Sequence, residues 1–322
     1  MKAIVQDVYG SPDVMRLEEV ALPPIGADGV LVRVRAAAVN PLDWHFMRGE
    51  PYLLRLISGL RKPKRRIQGV DVAGEVEAVG ADVRQFKQGD AVYGAAPGGA
   101  FAEYVAGKEY NFVPKPDGLT FEQAAAIPIV GLTALQALRD KAQVRAGQHV
   151  LFNGAGGGVG TFAVQIARAF GAEVTGVCST RNLELVTSLG ADHVIDYTRE
   201  DFTKMDRRYD VVLDAAGNHS LSELRRALKP DGVLVMVGGG TGRWIEPIVG
   251  VLRAILTSLI SRQRVIVFIA KERQSDLLTL TDLVQAGKLE PVVDRTYPLG
   301  DTPEAIRLIE TGHARGKIVV VP

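Results

Sequence analysis

The order of hydrophobic and polar positions divides the chain into three stretches. In residues 1 to about 120 the apolar residues come in short alternating runs, and the clearest is Val-Leu-Val-Arg-Val-Arg at 30–35. Successive side chains of a strand point to opposite faces, so this alternation predicts strands with one buried face. Pairs such as Pro23-Pro24 and Gly98-Gly99 mark turns between them. We therefore expect an all-β or partly open, barrel-like unit.

From about residue 121 the pattern changes to alternating helices and strands. This alternation is typical of a parallel sheet that is covered by helices on both faces. The helices are predicted at 121–126, at 130–141 after a break at Pro128, at 159–170 and from 182. The strands are predicted at 149–153, 173–177, 193–195, 210–213 and 233–237. The tail is predicted as a strand at 265–269, helices at 275–286 and 303–310, and a strand at 317–321.

Composition narrows the class of protein. A chain of 322 residues exceeds one ordinary core, so two domains are expected. Hydrophobic residues make up 47%, charged residues 23%, and the formal net charge of +1 gives no field that attracts nucleic acid. The single cysteine, Cys178, excludes an intrachain disulfide. With no signal-peptide pattern and no apolar run of about 18 residues, we expect a cytoplasmic protein without a membrane span or a nucleic-acid partner.

A glycine-rich turn, Gly-Ala-Gly-Gly-Gly-Val-Gly at 154–160, stands between a predicted strand and a predicted helix. In register with the pattern Gly-x-Gly-x-x-Gly, its three positions are Ala155, Gly157 and Gly160. Glycine permits the tight turn, lets the backbone approach a pyrophosphate and allows close packing of helix on sheet. The helix start at Gly158 and Val159 offers N–H groups and a positive dipole end to phosphates. We predict dinucleotide binding, and a purely structural turn is the alternative.

The end of the second predicted strand bears on which nucleotide is bound. Enzymes that prefer NAD place a carboxylate there for the ribose hydroxyl, whereas this chain has Ser179, Thr180 and Arg181. Hydroxyls followed by a guanidinium suit the 2′-phosphate of NADPH, because arginine forms charge-assisted bonds to phosphate. A helix N-cap followed by a solvated arginine is the alternative. Gly217 and the pair Val237-Gly238 lie at the ends of two further predicted strands. Because ligands of open α/β sheets bind at the carboxyl ends of the strands, we expect these residues to contact the same nucleotide.

Four segments, taken in order, resemble one family. The run 147–168, the blocks Ala-Val-Asn-Pro-Leu-Asp at 38–43 and Gly-Val-Asp-Val-Ala-Gly at 69–74, and the closing Ala-Arg-Gly-Lys at 314–317 are similar to quinone oxidoreductases and zeta-crystallins. This zinc-free group belongs to the medium-chain dehydrogenases/reductases. The resemblance implies an α/β protein with a GroES-like, β-rich catalytic domain and a doubly wound Rossmann cofactor domain. The catalytic domain would hold 1–120, completed by 265–322, and 121–264 would bind NADPH.

The same resemblance implies roles for single residues. Asn40 and Asp43 would lie beside the nicotinamide, with the Asn40 amide as a donor to an oxyanion and Asp43 as an orienting group. A polar turn that anchors the domain is the alternative for both. Tyr197 would contact the adenosine phosphate, or else be a half-buried packing residue. The residues expected near the nicotinamide half by resemblance alone are Phe268, Ala270 and Lys317, of which Lys317 has a solvated strand-edge lysine as its alternative.

Zinc is not expected. The zinc alcohol dehydrogenases of this superfamily use a cysteine that corresponds to Asn40 and a Gly-His-Glu motif that is replaced here by Gly69-Val70-Asp71. A catalytic zinc needs about three protein ligands, and structural sites typically need four. Without a Lewis acid, hydride transfer to an electron-poor quinone or α,β-unsaturated carbonyl is easier than alcohol oxidation. Tyr52, His45 and water are candidate proton sources.

The sequence therefore predicts an NADPH-dependent oxidoreductase that reduces a small quinone or enone without a metal, and a homodimer is expected from the family. A protein that binds NADPH as a sensor or structural component, with little turnover, is the alternative. A zinc-type alcohol dehydrogenase is a third hypothesis, which the missing ligands disfavour.

Two segments stay outside this scheme. We interpret the basic run at 61–66 as a solvated loop near the cleft mouth, since it lacks the aromatic residues of a nucleic-acid site. Attraction of the anionic cofactor is a weaker alternative. The apolar helix predicted within 244–261 must be buried. The interpretations are packing over the cleft, a dimer interface, a membrane surface or a wall of the substrate pocket.

Overall fold

The computed structural model describes residues 1–237 and 262–322. Gly238 and the apolar segment 244–261 lie outside the described residues. The strands in the described part are β1 Lys2–Val5, β2 Arg16–Glu19, β3 Gly29–Val39, β4 Asp71–Val79, β5 Ala91–Ala95, β6 Tyr104–Lys108, β7 Phe112–Pro114, β8 His149–Asn153, β9 Glu173–Cys178, β10 His193–Asp196, β11 Tyr209–Asp214, β12 Leu228–Val237, β13 Arg264–Phe268, β14 Val293–Pro298 and β15 Lys317–Val321.

The helices of the same residues follow in chain order. They are α1 Pro41–Arg48, α2 Arg55–Ser58, α3 Phe121–Ala125, α4 Pro128–Gln136, α5 Gly158–Ala169, α6 Leu183–Ser188, α7 Leu221–Arg226, α8 Gln274–Gln285 and α9 Thr302–Glu310. A 3₁₀ turn, Tyr52–Leu54, precedes α2, and a π-helical stretch, Ala137–Ala142, continues α4. No helix within the described ranges is long and apolar enough to cross a membrane.

The chain divides into two compact units. The first comprises 1–129, 272–285 and 291–322, and the second comprises 130–271 and 286–290. In the first unit, β14-β15-β3-β4-β5-β7 form a mixed sheet in this order, with β6 paired to β3, as far as the described residues show. The strand β3 has the predicted alternation, because Val32 and Val34 are buried and Arg33 is exposed. This β-rich unit is the GroES-like part of the fold.

The second unit contains a parallel sheet in the order β10-β9-β8-β11-β12-β13, as traced through the described residues. Its central strands are buried along almost their whole length, which is expected for strands whose two faces are both covered. The strand order reverses between β8 and β11, which are hydrogen-bonded neighbours. In open α/β sheets, ligands bind at the carboxyl ends of the strands at such a switch point. The fold is the predicted α/β type with a doubly wound Rossmann sheet.

Several predicted elements differ from the observed ones. The helix α4 begins at Pro128, where the sequence was expected to break, because proline is well suited to the first turn of a helix. The strand β12 begins at Leu228, five residues before the predicted start, because the polar Lys-Pro-Asp-Gly at 229–232 resembles a turn. The strand β13 pairs with β12 in the parallel sheet, although the sequence placed it in the tail.

Candidate active site

A buried polar cluster lies where β3 ends in the first unit. Lys317 Nζ donates to Asn40 Oδ1 at 2.6 Å, to the Val39 carbonyl at 3.0 Å and to Asp71 Oδ2 at 3.3 Å. The Asn40 amide donates to Asp71 Oδ2 at 2.9 Å and to the Ala38 carbonyl at 3.4 Å. The shortest hydrogen bonds of the Asn40 side chain are therefore those to Lys317 and Asp71 within the cluster.

The sheet explains how residues so distant in sequence meet. The strand β3 lies between β15 and β4, with Val39 opposite Ile318 and Ala38 opposite Asp71. Lys317 begins β15 and Asp71 begins β4, so both side chains reach the residue that follows β3. The other Asp71 oxygen accepts the Ile129 N–H at 3.0 Å. The cluster thus joins the end of β3 to the starts of β15 and β4, the two strands that flank it.

Asp43 is attached to this cluster through the first turn of α1. Its Oδ2 accepts the backbone N–H of Asn40, the N-cap residue, at 2.7 Å, and Pro41 occupies the first helical position. A carboxylate at the third position of a helix satisfies an otherwise unpaired N–H and favours the helix start. This local arrangement fixes both Asn40 and Asp43, the two predicted catalytic residues.

The cluster is removed from water, since Lys317 is only 2% exposed and Asp71 is fully buried. Burial raises the pKa of Asp43 to about 7, against the opposing effect of the N–H bond from Asn40 and with a contribution from the charge of Asp71. Burial likewise raises the pKa of Asp71 and lowers the pKa of Lys317, and the attraction between the two opposes both shifts. The alternative of a solvated lysine on a strand edge is wrong, because Lys317 is enclosed.

A cavity of about 420 Å³ opens beside this cluster within the first unit. The helix α1 contributes Leu42, Asp43 and Phe46 to its wall. The remaining walls come from 57–58, 63–65, 68–70, 97–98 and Glu272. Most of the lining residues are apolar or glycine, and Asp43, Lys64, Arg65 and Glu272 are the charged ones. Apolar concave sites with a few placed polar groups are typical of small-molecule sites.

Of the two side chains considered as proton sources, His45 lies in α1 and Tyr52 begins the 3₁₀ turn that follows it. His45 stacks on Trp44 and its Nδ1 lies 2.8 Å from the Glu50 carbonyl oxygen. Burial lowers the pKa of His45, so the neutral imidazole is favoured. The guanidinium of Arg55 lies 4.7 Å from the ring centre of Tyr52.

The glycine turn has the conformation that its sequence requires. Gly154 has a φ of +95°, a left-handed value that favours glycine, and the N–H groups of Gly154 and Ala155 donate to the Val177 carbonyl. The helix α5 starts at Gly158 with Gly157 as its N-cap. A Cβ at Gly160 would lie 2.2 Å from the Gly154 carbonyl oxygen, so only glycine allows this close packing.

The same turn fits a dinucleotide. A Cβ at Gly157 would meet only the Gly154 oxygen, at 3.5 Å, so the protein leaves open space before the first turn of α5. The first N–H groups of a helix have no partner within the helix and attract anions. Gly156 lies against Asn182, because a Cβ there would be 2.5 Å from Asn182 Nδ2. These features match the space and the donors that a pyrophosphate needs.

The end of β9 places Ser179, Thr180 and Arg181 together as a short helical turn, with Thr180 and Arg181 exposed. Sequence reasoning missed a neighbour, Asp196, at the end of β10. Its carboxylate accepts the Thr180 hydroxyl at 2.6 Å and the Thr198 hydroxyl at 2.7 Å. The hydrogen bond from Thr180 is the largest cause that lowers the pKa of Asp196. The pairing of β10 with β9 was the signal that would have found it.

The other predicted cofactor residues lie at or next to strand ends of the second unit. Tyr197 follows β10 and is about half exposed, and its N–H donates to the Cys178 carbonyl. Gly217 follows β11 with a φ of +65°, and its N–H donates to Asp214. Val237 ends β12 opposite Phe268, which ends β13. Ala270 follows two residues later. These contacts place the residues without testing their roles, which stay predictions.

Comparison with known proteins gives the family. Residues 26–117 match the family described as alcohol dehydrogenase GroES-like domain, and 189–320 match the family described as zinc-binding dehydrogenase. A 2-methylene-furan-3-one reductase of Solanum lycopersicum is 37% identical over all of this chain and 79% of its own length. An NADPH-dependent alkenal/one oxidoreductase of the Arabidopsis thaliana chloroplast is 35% identical over all of this chain and 80% of its own length.

The solved quinone oxidoreductase from Coxiella burnetii superimposes with a TM-score of 0.88 at 33% identity, over all of this chain and 99% of that one. The chain belongs to the quinone oxidoreductase family of medium-chain dehydrogenases/reductases. Members with the names above are oxidoreductases, and this protein is an enzyme of that class. The structure shows no group of three or more His, Cys, Asp or Glu side chains in 1–237 and 262–322 that could hold a metal ion. Zinc independence stays a prediction.

Proposed function

We propose that this protein reduces quinones or α,β-unsaturated carbonyl compounds with NADPH. The observation that carries the proposal is the glycine turn, which closes tightly on β9 and leaves the start of α5 open. The names of the relatives, an alkenal/one oxidoreductase, a furanone reductase and a quinone oxidoreductase, support the acceptor class. A nicotinamide dinucleotide is the cofactor at the level of the family. A cytoplasmic location and a homodimer belong to the same proposal.

The second unit supplies the binding groups. The N–H groups at the start of α5, in Gly158 and Val159, would hold the pyrophosphate. Arg181, with the Ser179 hydroxyl, would hold the 2′-phosphate, whereas the Thr180 hydroxyl donates to Asp196, whose carboxylate also accepts the Thr198 hydroxyl. NADPH rather than NADH follows because a guanidinium favours a phosphate over a hydroxyl. When bound, NADPH supplies the hydride.

The first unit supplies the acceptor site. The apolar wall formed by Leu42 and Phe46 would hold the carbon skeleton of the acceptor and exclude water from it. Asn40 is held by Lys317 and Asp71, with its amide hydrogens engaged, so we assign it a positioning role for α1 rather than donation to an oxyanion. Solvent would deliver the proton that completes the reduction.

Absorbance at 340 nm tests the proposal directly. NADPH or NADH would be mixed with 1,2-naphthoquinone, a 2-alkenal or a cyclic enone, and ethanol with NADP⁺ would complete the panel. We expect turnover of a quinone or enone with NADPH preferred. Binding of NADPH without turnover of any acceptor would contradict the enzyme and favour a sensor or structural role.

The Arg181→Ala variant tests the cofactor preference. It should weaken NADPH binding about 10-fold to 100-fold and leave NADH binding unchanged, because only NADPH carries the 2′-phosphate. Arg145→Ala is the matched control, since Arg145 is an exposed arginine that precedes β8 at the opposite ends of the strands. Equal losses for both nucleotides would contradict the assignment of Arg181.

A further inference from the structure

In the first unit, a stretch of eight residues, 53–60, contains four large aliphatic side chains that are exposed to solvent. Leu53 is 47% exposed, Leu56 65%, Ile57 66% and Leu60 68%. They belong to the 3₁₀ turn at 52–54, to α2 and to the turn that follows. Single exposed apolar residues are ordinary, but a contiguous apolar patch on a protein surface marks an interaction site.

A run of cations continues directly from this patch. Arg61, Lys62, Lys64 and Arg65 are all exposed, and the structure shows none of their side-chain nitrogens within 4 Å of a carboxylate in the described residues. Arg66 differs, because it pairs with Asp7 and Glu18. The positive charge of Arg65 opposes the rise that burial causes in the pKa of Glu272. The described residues nevertheless show no ion pair between the two side chains. Positive charge therefore accumulates beside the aliphatic side chains, on a chain whose net charge is only +1.

The backbone fixes the two groups relative to each other. The Tyr9 hydroxyl donates to the Gly59 carbonyl at 2.7 Å, and the Lys64 N–H donates to the Ser58 carbonyl at 2.7 Å. Gly59 has a φ of +120°, and a Cβ on it would lie 2.1 Å from the Lys62 carbonyl oxygen. The segment is thus a closed loop that presents leucine, isoleucine, lysine and arginine together.

We propose that residues 53–65, the docking loop, bind the surface of an anionic phospholipid bilayer. Aliphatic side chains partition into the boundary between head groups and acyl chains, and lysine and arginine are attracted to anionic head groups. The docking loop offers both kinds of group side by side, whereas an acidic protein partner would need the cations alone. Binding would be peripheral and would weaken as salt screens the charges.

The docking loop also reaches the cavity. Ile57, Ser58, Lys64 and Arg65 belong to the loop and line the cavity beside Asp43. An apolar acceptor dissolved in the bilayer would therefore meet the cavity at the membrane surface. This consequence rests on the proposed function, whereas binding of the bilayer does not.

Sedimentation with vesicles tests the docking loop. Wild-type protein at 50 mM salt would be mixed with phosphatidylcholine vesicles or with vesicles that contain 30% phosphatidylglycerol. We expect binding to the anionic vesicles that falls at least 10-fold in 500 mM salt, and little binding to phosphatidylcholine alone. Two variants, Arg61→Glu/Lys62→Glu and Leu56→Ser/Leu60→Ser, change residues that do not line the cavity and should each lower binding at least 10-fold.

Two control variants match these changes elsewhere. Lys87→Glu/Lys288→Glu alters the net charge by the same amount, and Val8→Ser/Leu22→Ser removes exposed aliphatic groups from other loops. Both should bind as the wild type does, and circular dichroism would confirm that all four variants fold. No binding of the wild type, or equal binding by all variants, would overturn the proposal.

Sedimentation velocity tests whether the docking loop binds a second copy of the chain instead of a bilayer. A dimer that is lost in Leu56→Ser/Leu60→Ser, together with no vesicle binding, would overturn the proposal in favour of that occupant. Since the vesicle assay contains no substrate, its failure leaves the proposed reduction untouched. An inactive protein that still binds vesicles would contradict the reduction and leave the docking loop supported.

Discussion

The polar cluster of the first unit and the glycine turn of the second are built in opposite ways. The cluster uses the polar side chain of Asn40 and the charged side chains of Asp71 and Lys317, which meet because three strands are neighbours in a sheet. The turn uses backbone groups of seven consecutive residues and almost no side chain. A side-chain cluster depends on every partner, whereas a backbone turn depends on the absence of a Cβ. Substitutions should therefore affect the two regions through different mechanisms.

The largest effect is expected in the cluster. Lys317→Met would leave Asp71 buried without its cation, and loss of one partner of a buried ion pair costs about 3–5 kcal/mol of the free energy of unfolding. The double variant Asp71→Asn/Lys317→Met should lose less, since no charge is left unpaired. Urea unfolding measures both, with Lys288→Met as an exposed control that should stay within about 0.5 kcal/mol of wild type. A Lys317→Met protein as stable as the control would refute the dependence on the pair.

A smaller effect is expected from adding a methyl group inside the glycine turn. Gly160→Ala brings its Cβ to 2.2 Å from the Gly154 oxygen and 2.6 Å from the Ala155 Cα, which the backbone must relieve by moving. Overpacking of this kind costs about 1–3 kcal/mol. Gly300→Ala is the matched control, because nothing lies within 4 Å of its added Cβ. Equal thermal stability of the two variants would show that the turn tolerates a side chain.

Gly157→Ala separates binding from stability. Its Cβ makes only an ordinary contact within the protein, so unfolding should change by less than about 1 kcal/mol. The same methyl group would occupy the space proposed for the pyrophosphate, so we expect NADPH affinity to fall at least 10-fold by titration calorimetry. Unchanged affinity would contradict the proposal that the pyrophosphate binds at this turn.

A further effect concerns pH and Asp43. Its pKa of about 7 in the folded protein exceeds the ordinary value of 3.8, so the folded state binds the proton more tightly than the unfolded state. The contribution of Asp43 to stability is therefore fully present below about pH 4 and is lost as pH rises towards 7, by at most about 1.4 kcal/mol per pH unit. Urea unfolding of wild type from pH 4.5 to 7.5 should show this decline relative to Asp43→Asn, and Asp117→Asn, at an exposed position, should retain it. Parallel curves for wild type and Asp43→Asn would contradict the raised pKa.

The contrast between the two regions also explains what the sequence could predict. The glycine turn is contiguous, and its strand and helix neighbours have clear patterns, so its position was predictable. Asn40, Asp43 and Lys317 were identified by resemblance, but their common cluster was not, because their strands become neighbours only in the folded sheet. Asp71 was a missed partner, because its contact with Lys317 depends on the pairing of both their strands with β3.

The cavity and the docking loop could not be predicted in the same way. The basic run at 61–66 was visible in the sequence. It was interpreted as a solvated loop, and its charged side chains are indeed exposed. The exposure of Leu56 and Leu60 depends on how α2 packs against the rest of the first unit. A helix of four residues carries too little periodicity to show which face is buried.

Transfer of deuterium from NADPH labelled at C4 of the nicotinamide tests the central claim most directly. With a cyclic enone as acceptor, and with each C4 stereoisomer of the labelled cofactor tried separately, the reduced ketone would be examined by mass spectrometry. We predict one deuterium at the β-carbon of the product with one of the two isomers, because hydride passes directly between the two bound molecules. A product without deuterium from either isomer, or no product while NADPH remains bound, would contradict the assignment of this protein as an NADPH-dependent enone or quinone reductase.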